Sequence, residues 1–349
     1  MLALCCGPLA AGAQDGLGLM YANAQGGEKD DAQAVAWLRR AADQGDAGAQ
    51  FNLAVMYANG RGVPQDYALA AQWCEKAAVQ GNAEAQTMLG RMYAQGQGVA
   101  RQEDLAVQWW RRAADQGNAA AQDRLGGAYL SGRGVPQDDL QASQWLRKAA
   151  EQDHAPAQDT LGTLYEQGLG VPKDESQAVQ WYRRAAEQGL DTAQYNLARQ
   201  YDFGRGVPRD LASARAWYGK AADQGYPRAQ FNLAVMYANG DGVAQDDAQA
   251  VRLMRKAATQ GHRQATFGLG VMYAEGRGVP RNPEAAFALI SAVASPDEEM
   301  TQYRDMLLTH MPPGQRERAE RLADELRATG VSEATMRRLA PESDGQPAS

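Results

Sequence analysis

A spacing of 36 residues dominates this 349-residue chain. Tyrosine recurs at that spacing eight times without an insertion, at Tyr21, Tyr57, Tyr93, Tyr129, Tyr165, Tyr201, Tyr237 and Tyr273. A leucine four residues earlier and an alanine eight residues earlier keep the same register in all eight copies. Composition alone cannot keep such a register, so we predict a repeat protein built from one supersecondary unit.

Each unit has the pattern of a helical hairpin, as residues 49–81 illustrate. Its first half carries one helical stripe of apolar residues and its second half another, at Ala49, Leu53, Ala54 and Tyr57 and at Ala70, Trp73, Ala77 and Ala78. Gly60, Gly62 and Pro64 break the helix between the two stripes. Asp66 is predicted to cap the second helix, and Gly81 to end it.

Neither helix can bury its stripe alone, so each hairpin is expected to stack on its neighbours. Glycine or alanine fills every copy of position 54, which lets another helix approach closely. The tryptophan of the second helix, at positions such as Trp73 and Trp145, is expected to supply the large burial. A basic residue three positions later is interpreted as a partner of the helix dipole.

The pattern A-Q-x-x-L-[GA]-x-x-Y-x-x-G-x-G-V, followed by A-x-x-W-x-x-K/R-A-A-x-Q-G, resembles the Sel1-like repeat family, a branch of the tetratricopeptide-type α-solenoids. The resemblance extends over residues 12–296. It implies an all-α fold, a right-handed α-solenoid of eight helical hairpins whose concave face usually serves as a platform for protein partners. Family members stapled by a disulfide in each repeat have paired cysteines, whereas this chain has only Cys5, Cys6 and Cys74.

The chain is predicted to divide into an apolar segment at 1–12, eight repeats at 13–296, a pair of C-terminal capping helices within 297–340 and a disordered tail at 341–349. The first residues, MLALCCGPLAAGA, end in the A-x-A pattern of a signal-peptidase site but lack a basic n-region. They are either the end of a signal peptide that starts upstream of Met1, in a periplasmic or secreted protein, or a hydrophobic cap on the first helix in a cytoplasmic one.

Several function classes are disfavoured by the sequence. A formal net charge of −7 argues against a nucleic-acid partner, and no apolar stretch reaches the 18 residues expected of a membrane span. The three histidines do not pair with a nucleophile motif, and the G-x-G-V segments follow helices rather than strands. The acidic loop near Asp241 lacks the ligand spacing of a calcium loop. We therefore expect no catalytic site, metal or cofactor.

Two positions of the first helix, four residues apart, hold different residue types in different copies, whereas the positions that define the repeat hardly vary. The first holds Asp15, Phe51, Thr87, Asp123, Asp159, Tyr195, Phe231 and Phe267; the second holds Leu19, Val55, Arg91, Gly127, Thr163, Arg199, Val235 and Val271. Aromatic residues with arginine nearby are typical of binding hot spots. We predict a binding surface for a protein or peptide in the concave groove, made of Phe51, Arg91, Tyr195, Arg199, Phe231 and Phe267.

The alternative for these aromatics is packing against the next repeat. Residues 49–60 are also identical to residues 229–240, which a recent duplication would explain without selection for binding. The leading hypothesis is a non-catalytic interaction scaffold or adaptor. An exported enzyme or ligand-binding module acting on cell-wall material, and a structural spacer, stay open as alternatives. Convergent ionisable groups in a pocket would favour the former, and a featureless polar groove the latter.

Overall fold

A computed structural model describes residues 31–339, and all regular secondary structure within that range is α-helical. Residues 1–30 and 340–349 lie outside the described residues. These undescribed residues include the predicted apolar segment or signal peptide, with Cys5 and Cys6. They also include the predicted first helix of copy one and the predicted polar tail.

The second helices of the repeats, called B helices here, alternate with the first helices, called A helices. In chain order, beginning with a B helix, they are α1 (Asp31–Asp43), α2 (Ala47–Asn59), α3 (Tyr67–Val79), α4 (Ala83–Gln95), α5 (Glu103–Asp115), α6 (Ala119–Ser131), α7 (Asp139–Glu151), α8 (Ala155–Gln167), α9 (Glu175–Glu187), α10 (Asp191–Phe203), α11 (Leu211–Asp223), α12 (Pro227–Asn239), α13 (Asp247–Thr259), α14 (Arg263–Glu275) and α15 (Pro283–Ser291). Three further helices follow, α16 (Glu298–Thr309), α17 (Pro313–Thr329) and α18 (Glu333–Leu339).

Polar caps and glycines set the ends of the helices. The carboxylates of Asp66 and Asp138 each accept a backbone N–H of the first turn at 2.9 Å, as the sequence predicts. The A helices end at a glycine in the left-handed conformation, for example Gly60 and Gly132, with φ of +66° and +67°. Because these signals recur at fixed positions, fourteen of the fifteen repeat helices have the same length of 13 residues.

The described residues form two units, residues 31–174 and 175–339. In the first unit, each helix from α1 to α8 packs against the next one in the chain. In the second unit α9 to α15 do the same, and α15 also contacts α16 and α17. Each unit is a run of stacked hairpins, the solenoid arrangement expected, and α17 buries Ala319, Ala323 and Leu326 at the C-terminal end.

In five of the seven described A helices a buried glutamine connects the helix with two B helices. Gln86 on α4 donates its Nε2–H to the carbonyl of Ala78 on α3 at 2.9 Å, and its Oε1 accepts from Nε2 of Gln116 at the end of α5 at 2.7 Å. Gln50, Gln122, Gln194 and Gln230 make the same two bonds. These bonds account for both the A-Q and the Q-G elements of the sequence pattern.

Within a hairpin, a small residue on the A helix receives a large one from the B helix. A Cβ added to Gly90 would lie 2.5 Å from the indole of Trp110, and one added to Gly126 would lie 2.6 Å from Cγ of Leu146. The two helices therefore approach more closely than ordinary side chains would allow.

The residue after the repeated tryptophan lies deepest, rather than the tryptophan itself. Leu146 and Tyr218 are exposed by 1% and 0%, whereas Trp73, Trp109 and Trp217 are only partly buried. Consecutive residues of a helix lie about 100° apart, so the tryptophan and the residue after it both fall within one wide apolar stripe. The hydrophobic periodicity therefore could not show which of the two is buried more deeply. Trp145 and Trp181 are nevertheless core residues, each 9% exposed, so the core receives both the predicted tryptophan and the residue after it.

The exposed part of the tryptophan is covered by the basic residue three positions later. Nζ of Lys76 lies 3.9 Å from the ring centroid of Trp73, and Nζ of Lys148 lies 4.0 Å from that of Trp145. Such cation–π contacts contribute about 0.5–1 kcal/mol at exposed sites. The basic residue thus stabilises its own helix by stacking as well as through the dipole.

The second loop glycine lies against the start of the preceding B helix. Gly134 has φ of +72°, and a Cβ there would lie 2.3 Å from the carbonyl oxygen of Glu103. Gly278 in the second unit lies equally close to the carbonyl of Asp247. The repeated glycine therefore allows a close contact between successive repeats in addition to a turn.

Gly134→Ala should lower the free energy of unfolding by more than the roughly 1 kcal/mol that a positive φ alone costs, because the new methyl also meets the Glu103 carbonyl. Gly117→Ala is the control: its φ is +93°, but nothing lies within 4 Å of its Cβ. Urea melts of the two variants test this, and equal losses would contradict the proposed close approach.

Gln122→Leu should destabilise the protein by about 1–3 kcal/mol, because it leaves the buried carbonyl of Ala114 unpaired and removes the bond from the Gln152 amide. Gln72→Leu, on the exposed surface of the same unit, should change the free energy of unfolding by no more than about 0.5 kcal/mol. A double-mutant cycle between Gln122 and Gln152 should give a coupling energy different from zero. Additive losses would show that the bond between the two amides contributes nothing.

Candidate functional site

The six predicted binding residues all lie on A helices. Phe51 on α2 and Arg91 on α4 belong to the first unit; the second holds Tyr195 and Arg199 on α10, Phe231 on α12 and Phe267 on α14. Arg91 is exposed, and the other five are half-buried. None is fully buried, so each presents part of its side chain to solvent.

On several A helices the side chain at the varied position contacts the residue that caps the next A helix, 31 positions later. Tyr195 packs against Tyr226 with ring centroids 5.2 Å apart, and Phe231 stacks on His262 at 5.0 Å. In the first unit Oγ1 of Thr87 donates to Oδ1 of Asn118 at 3.2 Å. These side chains therefore pack against the next repeat, as the alternative interpretation predicted, and Tyr195 and Phe231 also keep a part exposed to solvent.

Phe267 has a different neighbour, because no further repeat follows its own. Its ring meets that of Tyr303 on α16 edge-on, with centroids 5.9 Å apart. Burial and the nearby Glu275 carboxylate raise the pKa of the Tyr303 phenol, which therefore stays protonated. The first helix after the repeats thus covers the last aromatic of the varied position.

The second unit has a polar cluster beneath Tyr195. The guanidinium of Arg199 lies over the Tyr195 ring, 5.9 Å from its centroid, as their i, i+4 spacing predicts. Tyr195 also contacts the ring of the buried Tyr218, whose hydroxyl donates to Asp202 at 3.3 Å and accepts from Asn232 at 3.0 Å. Burial raises the pKa of Tyr218 well above its usual value, so the hydroxyl stays protonated. Tyr195 therefore packs on a buried tyrosine whose hydroxyl is held in place by two hydrogen bonds.

Sequence reasoning missed Phe203, which is 57% exposed at the end of α10. It follows Tyr195 and Arg199 at i+8 and i+4, so the three lie on one face of the helix. The signal was available, because the other described A helices carry a polar residue at this position: Asn59, Gln95, Ser131, Gln167, Asn239 and Glu275. The guanidinium of Arg205 lies 5.2 Å from the Phe203 ring centroid.

Cys74 and His262, two residues of reactive types, have structural roles. The thiol of Cys74 is fully buried and donates to the Ala85 carbonyl at 3.1 Å, and burial raises its pKa to about 12. His262 caps α14 by accepting the Ala265 N–H at Nδ1. Within residues 31–339 no three histidine, cysteine or acidic side chains converge as metal ligands would. None of these helices is both long and apolar enough to cross a bilayer.

Known proteins share this repeat. The Sel1 repeat is matched at residues 11–46, 47–82, 83–118, 119–154, 155–190, 191–226, 227–262 and 263–291. The chain is 35% identical to a Sel1 repeat protein from Oxalobacter formigenes of known crystal structure, with a TM-score of 0.64 over 85% of this chain and 86% of that one. A protective antigen of uropathogenic Escherichia coli strains, displaying an SLR fold, is 32% identical over 97% of this chain and 89% of its own, with a TM-score of 0.49. Comparison with curated proteins gives no match.

His262→Asn should reduce the loss of stability on acidification. Burial, assisted by Arg228, holds the pKa of His262 below its usual 6.5, so the unfolded chain binds this proton more readily and stability falls as the pH drops below about 6.5. Asn82 and Asn118 cap the same position in other repeats and do not titrate. Melts between pH 7.5 and 5 should give a shallower slope of stability against pH for His262→Asn than for the wild type. Identical slopes for the two proteins would contradict the role of His262.

Proposed function

Because the chain belongs to the Sel1 repeat family, whose members generally act as protein-interaction scaffolds, we propose that it is a non-catalytic scaffold that holds a partner against its A helices. The proposed contact residues are the six predicted from the sequence, Phe51, Arg91, Tyr195, Arg199, Phe231 and Phe267, together with Phe203. The partner is a protein or peptide that lies across several A helices.

The observation that carries the proposal is the row of Tyr195, Arg199 and Phe203 on α10. The three side chains follow one another along one helix face, and Phe203 is 57% exposed in a repeat position that is otherwise polar. Fully burying a phenylalanine contributes about 1.5–3 kcal/mol, so a partner that covers this ring gains most of that amount. Aromatic residues and arginine are also the types that dominate binding energy in protein interfaces.

The side chains packed against Tyr195 favour binding, because they hold the row in place. Tyr195 is held between Tyr218 and Tyr226, and Arg199 lies over its ring, so both side chains are ordered before a partner arrives. Ordering a free side chain on binding costs about 0.5–1.5 kcal/mol, a cost that is reduced here. A purely structural spacer would have no use for an exposed ring at this place.

In the first unit the proposed contacts are fewer. Phe51 packs partly against the hydrophobic core of that unit, and Arg91 is exposed. Arg91 makes no hydrogen bond or ion pair within residues 31–339, so its guanidinium is available to an acidic group of a partner. We propose that these two residues form a separate contact within the first unit.

Replacing Phe203 by Gln and Arg199 by Thr together should weaken partner capture at least tenfold. Both new residues occur at the same repeat positions elsewhere in the chain, at Gln95 and Thr163, so the fold should tolerate them. Capture is measured by crosslinking and quantitative mass spectrometry in the native host, with circular dichroism melts of the purified variant.

Lys220→Gln, on the B helix α11, is the control for surface charge, and it should leave capture unchanged. A double variant that captures the same partners as the wild type at an equal melting temperature would contradict the proposed surface. A large fall in melting temperature, with binding per folded molecule intact, would show that these side chains serve the core instead.

A further inference from the structure

A cavity of about 310 Å³ lies in the first unit beside the middle of α6. Its floor includes Trp110 and Leu146, which are exposed by only 9% and 1%. Its rim carries the exposed side chains of Arg101, Arg124 and Arg133. The volume is at the lower end of the range for ligand pockets, so it suits one side chain of a larger ligand.

The cavity is open at Gly127, which has no side chain. A Cβ added to Gly127 would meet nothing within 4 Å. The other described repeats carry Val55, Arg91, Thr163, Arg199, Val235 and Val271 at the same position. Since this is one of the two varied positions of the A helix, the missing side chain opens a recess on the surface proposed for partner binding.

Arg133 lacks the ion pair that two of its counterparts make. Arg61 and Arg277 occupy the same repeat position and bind Asp31 and Asp247 of the preceding B helix at 2.7 and 2.8 Å. Glu103 occupies the corresponding acidic position for Arg133, but it is paired with Arg101 instead. Within residues 31–339 the guanidinium of Arg133 therefore has no ion pair.

The remaining charges leave the cavity positive. Arg124 likewise makes no hydrogen bond or ion pair among the described residues. The whole lining carries three arginines and two carboxylates, those of Glu103 and Asp123, which leaves one net positive charge. Two arginines thus face the recess without a carboxylate of their own, beside an apolar floor.

We propose that this cavity binds the carboxylate side chain of a glutamate or aspartate presented by the partner polypeptide. Arg124 and Arg133 pair with the carboxylate, since a guanidinium suits a carboxylate in a bidentate arrangement, and its methylene groups pack on Trp110. The site rests on the proposed scaffold function and adds to it a specificity for an acidic segment.

Gly127→Val fills the recess with a residue that three other repeats carry at this position, and without a clash at Cβ. Its melting temperature should equal or exceed that of the wild type, since glycine inside a helix is unfavourable. A random twelve-residue peptide library displayed on phage is selected on the full-length protein. Binders are then measured as synthetic peptides against wild type, Gly127→Val, and an Arg124→Met/Arg133→Gln double variant whose residues match Met88 and Gln97.

We expect the binders to share an acidic residue, and to lose at least tenfold in affinity for both variants or when that residue becomes its amide. Binders without an acid, equal affinity for Gly127→Val, or loss only when the peptide C-terminus is amidated would each overturn the side-chain site. Binders that ignore Gly127→Val but fail on Arg199→Thr/Phe203→Gln would overturn the cavity and leave the scaffold function standing. Recovery of no binder would count against both.

Discussion

The glutamine near the start of an A helix, Gln86 for example, is buried between the ends of two B helices, where it bonds to a carbonyl and to an amide at once. Leaving either group unpaired in that position costs about 1–3 kcal/mol. Both bonds form only if the two B helices keep one separation and one rotation. The amide therefore fixes the geometry of each step in the stack, and an insertion on either side of it would break both bonds.

Close contacts at two glycines also help to fix the geometry from one repeat to the next. Gly126 receives Leu146 within a hairpin, and Gly134 lies against Glu103 of the preceding repeat. All three contacts connect a repeat only with itself or with its neighbour, so stability accumulates from local interfaces rather than from one central core. The positions that carry none of these contacts are free to differ, and the proposed binding residues occupy them.

The fold could be predicted from the sequence because its signals are local. Gly60 and Asp66 mark the helix ends, and the spacing of Tyr195 and Arg199 places them side by side on one helix. Contacts between repeats could not be predicted, because they depend on the rotation from one repeat to the next. The 31-residue pairing of Phe231 with His262 belongs to this class. The cavity at Gly127 also belongs to this class, since its charge depends on which of the neighbouring arginines form ion pairs.

The identical segments at residues 49–60 and 229–240 show what the pairing between repeats means for the evolution of such a chain. Phe51 and Phe231 occupy the same place in these segments, yet Asn82 follows the first by 31 residues and His262 follows the second. The following repeat therefore supplies part of the surface around each ring. A duplicated segment acquires a new chemical environment as soon as it gains a new neighbour, before any residue of its own has changed.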